Sequence, residues 1–402
     1  MSYADFHQLT VFSRFGLAVL EHLISMAEIR YTKNARINNL LVERFPLILT
    51  STKSVHWMSL EHFFDLRREG AAFSSIGTYG SHLVDFISQM EVDGIEISEI
   101  DDPWLEAYRN EILARGVGKR KQNTNNYASQ VLRTVIVFLY WLESNGYIKG
   151  VVGDNKKYPV RISVRTRGIK HWLIKNRASG EKVVATPRAD WIRAIKPYGP
   201  KRSDLSERFE LMIDWGASLG LRAMEICSLT IQQLPDEESA ERALLLEENL
   251  YINIIVSKGG KHWRVPLSPL LVKKTWQYIN GVRKIVVKRH LLRAQKNNRN
   301  YVDPSYIFIS DGLGGGVNPR SLSNSVRGAF RAAVEAKELT EEQRVWLHGL
   351  RHNFVTTILR KLDEEGIPRA EAIARQVTRH SSEDAMGPYL QDRYNKKFDG
   401  NE

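Results

Sequence analysis

A single cysteine, Cys227, stands in 402 residues, so no intramolecular disulfide can form, and this fits a reducing cytoplasm. It lies in an apolar run, where burial is its ordinary use. Long apolar runs are also missing. The most apolar N-terminal stretch, Leu9 to Met26, is broken by Arg14, Glu21 and His22, and reads as an amphipathic helix, neither a signal peptide nor a membrane span. There is no low-complexity segment and no internal repeat, which excludes a solenoid. Acidic residues are the scarcer charge: 46 Asp plus Glu against 58 Lys plus Arg give a formal +12, which favours a polyanionic partner. Two familiar motifs are incomplete. The glycine loop Asp311 to Gly316 lacks the Lys-Ser or Lys-Thr of a nucleotide-binding loop, and His348 and His352, four apart, lack the glutamate of H-E-x-x-H. Neither a metal nor a cofactor is expected.

The length and 43% hydrophobic residues suffice for two or three domains. Residues 1–57 form an N-terminal extension of unclear role, with an extended pair around Ile37 to Val42 and Phe45 to Leu49 and with Pro46 confining its strand to an edge or a start. Residues 58–150 read as a helical domain with helices Leu60–Arg68, Ile76–Met90, Pro103–Arg115 and Tyr127–Leu142. In the last, Val131, Leu132, Val135, Phe138, Leu139 and Leu142 repeat at helical spacing, and Gly146 follows as a stop. Its basic and amide-rich loop, with Lys119, Arg120, Lys121 and Asn125, suits phosphates and base edges, although a solvated loop with a helix cap is an equal reading for any one of them.

Residues 151–185 carry nine Lys and Arg, among them Arg161 and Arg165, against Asp154 and Glu181. An interdomain linker lying on DNA fits that imbalance, and Val160 to Val164 alternates like a strand. Thr186-Pro187 opens the domain that runs to residue 402. Within it a helix from Leu205 ends at Gly220, a β-hairpin spans Leu250–Val256 and His262–Leu267, and a basic helix runs from Pro269 to Arg293.

Three polar groupings stand out there. His348 and Arg351 are three apart on one helix whose Leu347, Leu350, Phe354, Val355 and Ile358 form an apolar stripe, so imidazole and guanidinium project together. Arg222, in Leu219-Gly-Leu-Arg-Ala-Met-Glu225, falls at a helix-to-helix junction that favours an anion. Tyr389 follows His380 by nine residues, and between the first two groupings the hairpin carries Lys258, Lys261 and Arg264. Each is weak alone, because an H-x-x-R pair is usually a solvated face.

In this order the segments resemble the tyrosine recombinase (phage integrase) family: Arg222 with Glu225, the hairpin lysine Lys258, His348 with Arg351, then His380 with Tyr389. The resemblance implies a mainly α fold with a small antiparallel sheet, an all-α core-binding domain and a mixed α+β catalytic domain. It implies Tyr389 as nucleophile, Arg222 and Arg351 as phosphate clamps, His348 as proton acceptor, His380 as a phosphate hydrogen-bond partner and Lys258 as acid, with Lys261 as the other candidate acid. Lys261 and Arg264 would touch DNA backbone. Implied partners are double-stranded DNA, further copies forming a tetramer on it, and accessory recombination proteins, with no membrane; the setting is a prokaryotic, nucleoid-associated protein of a mobile genetic element. A type IB topoisomerase and a non-catalytic DNA-binding protein are alternative readings. The chain departs from the family pattern at Arg379, where a glycine usually precedes the histidine, and at Pro388, which restricts the backbone entering Tyr389.

Overall fold

The computed structural model describes residues 26–115 (without 34, 38, 39 and 43), 125–174 (without 167), 186–256 and 262–378. The expected N-terminal helix up to residue 25, the loop with Lys119, Arg120 and Lys121, the hairpin turn with Lys258 and Lys261, and the segment with His380 and Tyr389 lie outside the described residues. The chain divides into two compact units, Met1–Glu181 and Lys182–Glu402. Both are mainly helical with small two-stranded sheets, as the sequence leads one to expect.

The first unit is built on α1 (Trp57–Arg68), α2 (Phe73–Asp93), α3 (Asp102–Ala114) and α4 (Asn125–Ser144). Asp101 caps α3 by accepting from the Trp104 amide at 2.8 Å, with Pro103 in the first turn, where its missing N–H costs nothing. The apolar stripes meet in a core of Phe63, Ile76, Leu83, Phe86, Leu105, Tyr108, Val131, Leu132, Val135 and Leu139, all buried. Each such side chain contributes about 1.5–3 kcal/mol on leaving water. The extended segment pairs differently from expectation. β4 (Pro46–Leu49) is antiparallel to β1 (Glu28–Tyr31), while β2 (Ala35–Ile37) and β3 (Leu40–Val42) pair with each other. Burial of Phe45 and Ile48 draws β4 onto the helices, and Gly80 on α2 admits both strands, since a Cβ there would lie 2.8 Å from Ile29 Cδ1 on β1 and 3.2 Å from Pro46 Cβ on β4.

Residues 151–174, in the stretch expected to link domains, belong to this core. They form β5 (Val152–Gly153), β6 (Val160–Arg161), β7 (Ser163–Arg165) and β8 (Gly168–Lys170). Val151, Val152, Val160, Ile162 and Leu173 are buried with the helices. Glu143 on α4 accepts from the amides of Gly150, Val151 and Val152 at 2.7–3.2 Å. Asp102 accepts from His171 Nε2 at 2.8 Å and Trp172 Nε1 at 3.2 Å. Among the described residues, exposed Arg161 stands between buried Val160 and Ile162, so charge and apolar burial alternate there.

The second unit contains α5 (Ala189–Ala194), α6 (Ser203–Leu219), α7 (Ala223–Cys227), α8 (Glu237–Leu245), the hairpin β9 (Leu250–Ile254) and β10 (Trp263–Leu267), α9 (Pro269–Tyr278), α10 (Lys284–Lys296), α11 (Pro319–Glu335), α12 (Leu347–Glu364) and α13 (Ala370–Thr378). Trp215 on α6 is fully buried and donates from Nε1 to Thr275 Oγ1 at 3.1 Å, fixing α9 against α6. In the hairpin, Ile252, Ile254, Val265 and Leu267 face the core, and Tyr251, Asn253 and Arg264 face outward. The expected helix from Pro269 to Arg293 is interrupted by a π-turn, Ile279–Arg283, between α9 and α10. There buried Arg283 donates to Tyr306 O at 2.7 Å and to Asp303 at 2.8 Å.

Candidate active site

The site begins where α6 ends. Gly220 leaves the helix with φ 60°, a left-handed conformation that costs other residues about 1–2 kcal/mol. A Cβ there would also lie 2.4 Å from Phe354 Cδ1, so α12 approaches too closely for any side chain. Two residues on, Arg222 takes the N-cap position of α7. Glu225 in the first turn accepts from the Arg222 amide and from Arg222 Nη1, both at 2.9 Å. The Glu225 carboxylate is fully buried while the Arg222 side chain keeps 31% exposure, so one end of the pair is anchored and the guanidinium stays accessible.

Helix α12 brings the second group. Arg351 is 1% exposed; its Nη1 donates to Gly220 O at 2.7 Å and its Nη2 to Thr378 O at the end of α13. One guanidinium thus joins the α6–α7 junction, α12 and α13. His348, one turn earlier and exposed, stands in the second position of α12, where the positive end of the helix dipole favours an anion. Desolvation by its neighbours, then the charges of Arg351 and Arg222, hold its pKa below the ordinary value. A neutral imidazole able to accept a proton results. His352 packs edge-to-face on it, ring centroids 5.0 Å apart, and the Trp346 ring lies 5.7 Å from that of His352. Burial, followed by His348 and Arg351, pushes His352 down to about 4.

Helix α12 thus brings Arg351 and His348 to the segment bearing Arg222, more than a hundred residues away in sequence, and the charges of both arginines act on that imidazole. Lys258, His380 and Tyr389 lie outside the described residues, as do Lys119, Arg120, Lys121 and Lys261. Of the remaining expected DNA contacts, Asn125 opens α4 with its Oδ1 accepting from Arg109 Nη2 at 2.8 Å. Arg161 is exposed on β6, and Arg165 lines a cavity of about 600 Å³ together with Arg133 and Lys170. Arg264 lies over the Tyr251 ring at 4.5 Å on the outer hairpin face. The sequence reading missed the carbonyls of Gly220 and Thr378 as partners of Arg351. Backbone acceptors carry no residue-type signal, and only the closeness of Thr378 to His380 pointed there.

Residues 192–389 match the phage integrase family, a span that contains Arg222, Lys258, His348, Arg351 and His380 and ends on Tyr389. This segment, 198 of the 402 residues, is a domain of the phage integrase family. The integrase fold is shared with the XerH site-specific recombinase bound to palindromic difH substrate, at TM-score 0.54 and 15% identity, over 87% of this chain and 85% of that one. A lambda integrase (75–356) dimer bound to a COC′ core site matches at TM-score 0.50 and 15% identity, over 83% of this chain and 94% of that one. Comparison with curated proteins gives no match. Among the described residues, no helix is long and apolar enough to cross a membrane.

Proposed function

We propose that the chain is a site-specific DNA recombinase of integrase type, acting as a tetramer on two duplexes. A phosphodiester repels nucleophiles and has a strongly basic leaving group, so cations, a nucleophile and an acid must all come from side chains. In the first step the Tyr389 oxygen attacks phosphorus and its proton passes to His348. The bond to the 5′ oxygen breaks as Lys258 protonates that oxygen, leaving a 3′-phosphotyrosine. Arg222 and Arg351 hold the non-bridging oxygens as charge grows, with His380 donating a further hydrogen bond, and each arginine is worth about 3–4 kcal/mol of barrier by analogy with oxyanion donors. A 5′ hydroxyl of the second duplex then attacks the phosphotyrosine and releases Tyr389, so neither ATP nor a metal is consumed or required. Lys119, Arg120, Lys121, Asn125, Arg161, Arg165, Lys261 and Arg264 would contact the duplex around this centre.

The observation that carries this reading is the bond from Arg351 to the Gly220 carbonyl at 2.7 Å, which sets the H-x-x-R helix directly against the segment bearing Arg222. The test is a suicide duplex nicked beside the cleavage point. Wild type should form a covalent protein–DNA adduct and Tyr389→Phe should form none. An adduct retained by that variant would move the nucleophile elsewhere, and Tyr394 is the nearest alternative in the sequence. Binding of duplex with no adduct in wild type would favour a non-catalytic DNA-binding role, and resealing confined to one duplex a topoisomerase.

A further inference from the structure

On the side of α12 turned away from His348 and Arg351 lies a recess that the proposed reaction does not use. Positions 353 and 356, and 357 and 360, are three apart, while 353 and 357, and 356 and 360, are four apart, so the four share one face, roughly opposite the one bearing His348 and Arg351. With residues 186–190 and 193 they enclose about 540 Å³. Asn353 Nδ2 donates to Pro187 O at 2.9 Å and ties the two walls together.

The lining is rich in donors and positive charge. Arg188, Arg193 and Arg360 contribute guanidinium groups, against the single carboxylate of Asp190. That carboxylate is already engaged by Arg188 at 3.0 and 3.3 Å, while Arg360 approaches Glu364 no closer than 3.7 Å. The Arg193 side chain makes no hydrogen bond or ion pair among the described residues. Thr356 Oγ1 is buried and without a hydrogen-bond partner, an arrangement that ordinarily costs about 1–3 kcal/mol and calls for an acceptor. An unpaired Arg193, an Arg360 held only by an exposed ion pair to Glu364 at 3.7 Å, and an unsatisfied hydroxyl suit a compact, multiply charged oxyanion.

We propose that this recess binds a phosphate group, held by Arg193 and Arg360 with Thr356 Oγ1 as a further donor. The site is distinct from the one described above and does not depend on strand cleavage. Its ligand is either free phosphate or a backbone phosphate of DNA. Arg188 reports on it, because its guanidinium carbon lies 5.2 Å from the centre of the Trp191 ring and an anion beside it will change the surroundings of the indole.

The test is a titration of the full chain with inorganic phosphate at constant ionic strength, followed by tryptophan fluorescence, with Trp191→Phe defining the signal. A saturable change at about a millimolar or below is expected, with half-saturation raised roughly tenfold or more in Arg193→Gln/Arg360→Gln and largely kept in the double lysine variant. All these arginines are exposed, so the variants should fold. The same change produced by chloride, or the same curve in the glutamine variant, overturns the proposal. Repeating the titration with saturating duplex identifies the source: an unchanged curve assigns the site to free phosphate, and a lost response assigns it to a DNA phosphate.

Discussion

Arg351 carries two burdens, and replacing it separates them. In Arg351→Ala, two charge-assisted bonds to the carbonyls of Gly220 and Thr378 disappear. Hydrogen bonds from charged groups are worth about 1.5–3 kcal/mol each, and the two acceptors would be left in a buried setting. A loss of roughly 3–5 kcal/mol follows, or about 6–20 °C in the melting temperature for a unit of this size. Cys227 offers a direct assay, since it is the only cysteine, is buried and lies on α7 beside the junction that Arg351 secures. Burial pushes its thiol up to about 12, so the native protein should label slowly. Opening of the junction by about 3 kcal/mol would raise the labelling rate by roughly two orders of magnitude. Arg351→Lys, which retains the charge and can reach one carbonyl, should fall between. Arg222→Ala leaves the fully buried Glu225 carboxylate without its guanidinium partner and should also cost stability, while blocking cleavage comparably. If Arg351→Ala labels and melts like wild type, the two carbonyl bonds do not hold the junction, and the reasoning fails.

Gly220→Ala should destabilise by about 2–4 kcal/mol, combining left-handed strain with the close contact to Phe354. In a double-mutant cycle by chemical denaturation, Gly220→Ala with Phe354→Ala should be less than additive; strict additivity would mean that the contact is not the cause. In the first unit, burial pushes His62 down to about 4 from an ordinary 6.5. The unfolded chain takes up the proton first as pH falls, so the contribution of neutral His62 is complete above about 6.5 and is lost on descent to about 4, at a cost of about 3 kcal/mol. His62→Leu should therefore lose less stability than wild type between pH 7 and 4.5 in calorimetry, and parallel profiles would contradict the assignment.

Element positions were readable where periodicity and punctuation agreed. The four helices of the first unit fall within a few residues of their expected spans because apolar spacing and stop residues such as Gly146 act locally. The pairing of Pro46–Leu49 with Glu28–Tyr31 was not readable, because both strands pack over Gly80, a contact distant in sequence. The 151–174 segment misled for a related reason: its charges dominate composition, and the alternation around Val160 and Ile162 signals a strand without showing which core it joins. At the site, motif order brought Arg222, His348 and Arg351 to attention. Motif order could not disclose that Arg351 would be buried and tied to main-chain oxygens, since neither acceptor depends on side-chain identity.

The π-turn at Ile279–Arg283 bears on how this long helix tolerates change. One surplus residue turns everything beyond it by about 100° relative to an uninterrupted helix. The two halves can then satisfy unrelated surroundings: Thr275 and Trp276 bond to Trp215 and Pro235, whereas His290 meets Ser310 and Arg283 meets Asp303. Insertion or deletion of a single residue elsewhere along 269–296 would misalign one set of bonds with its targets. Within the wide turn, a deletion has somewhere to be absorbed, at the expense of the contacts made by Ile279 and Arg283.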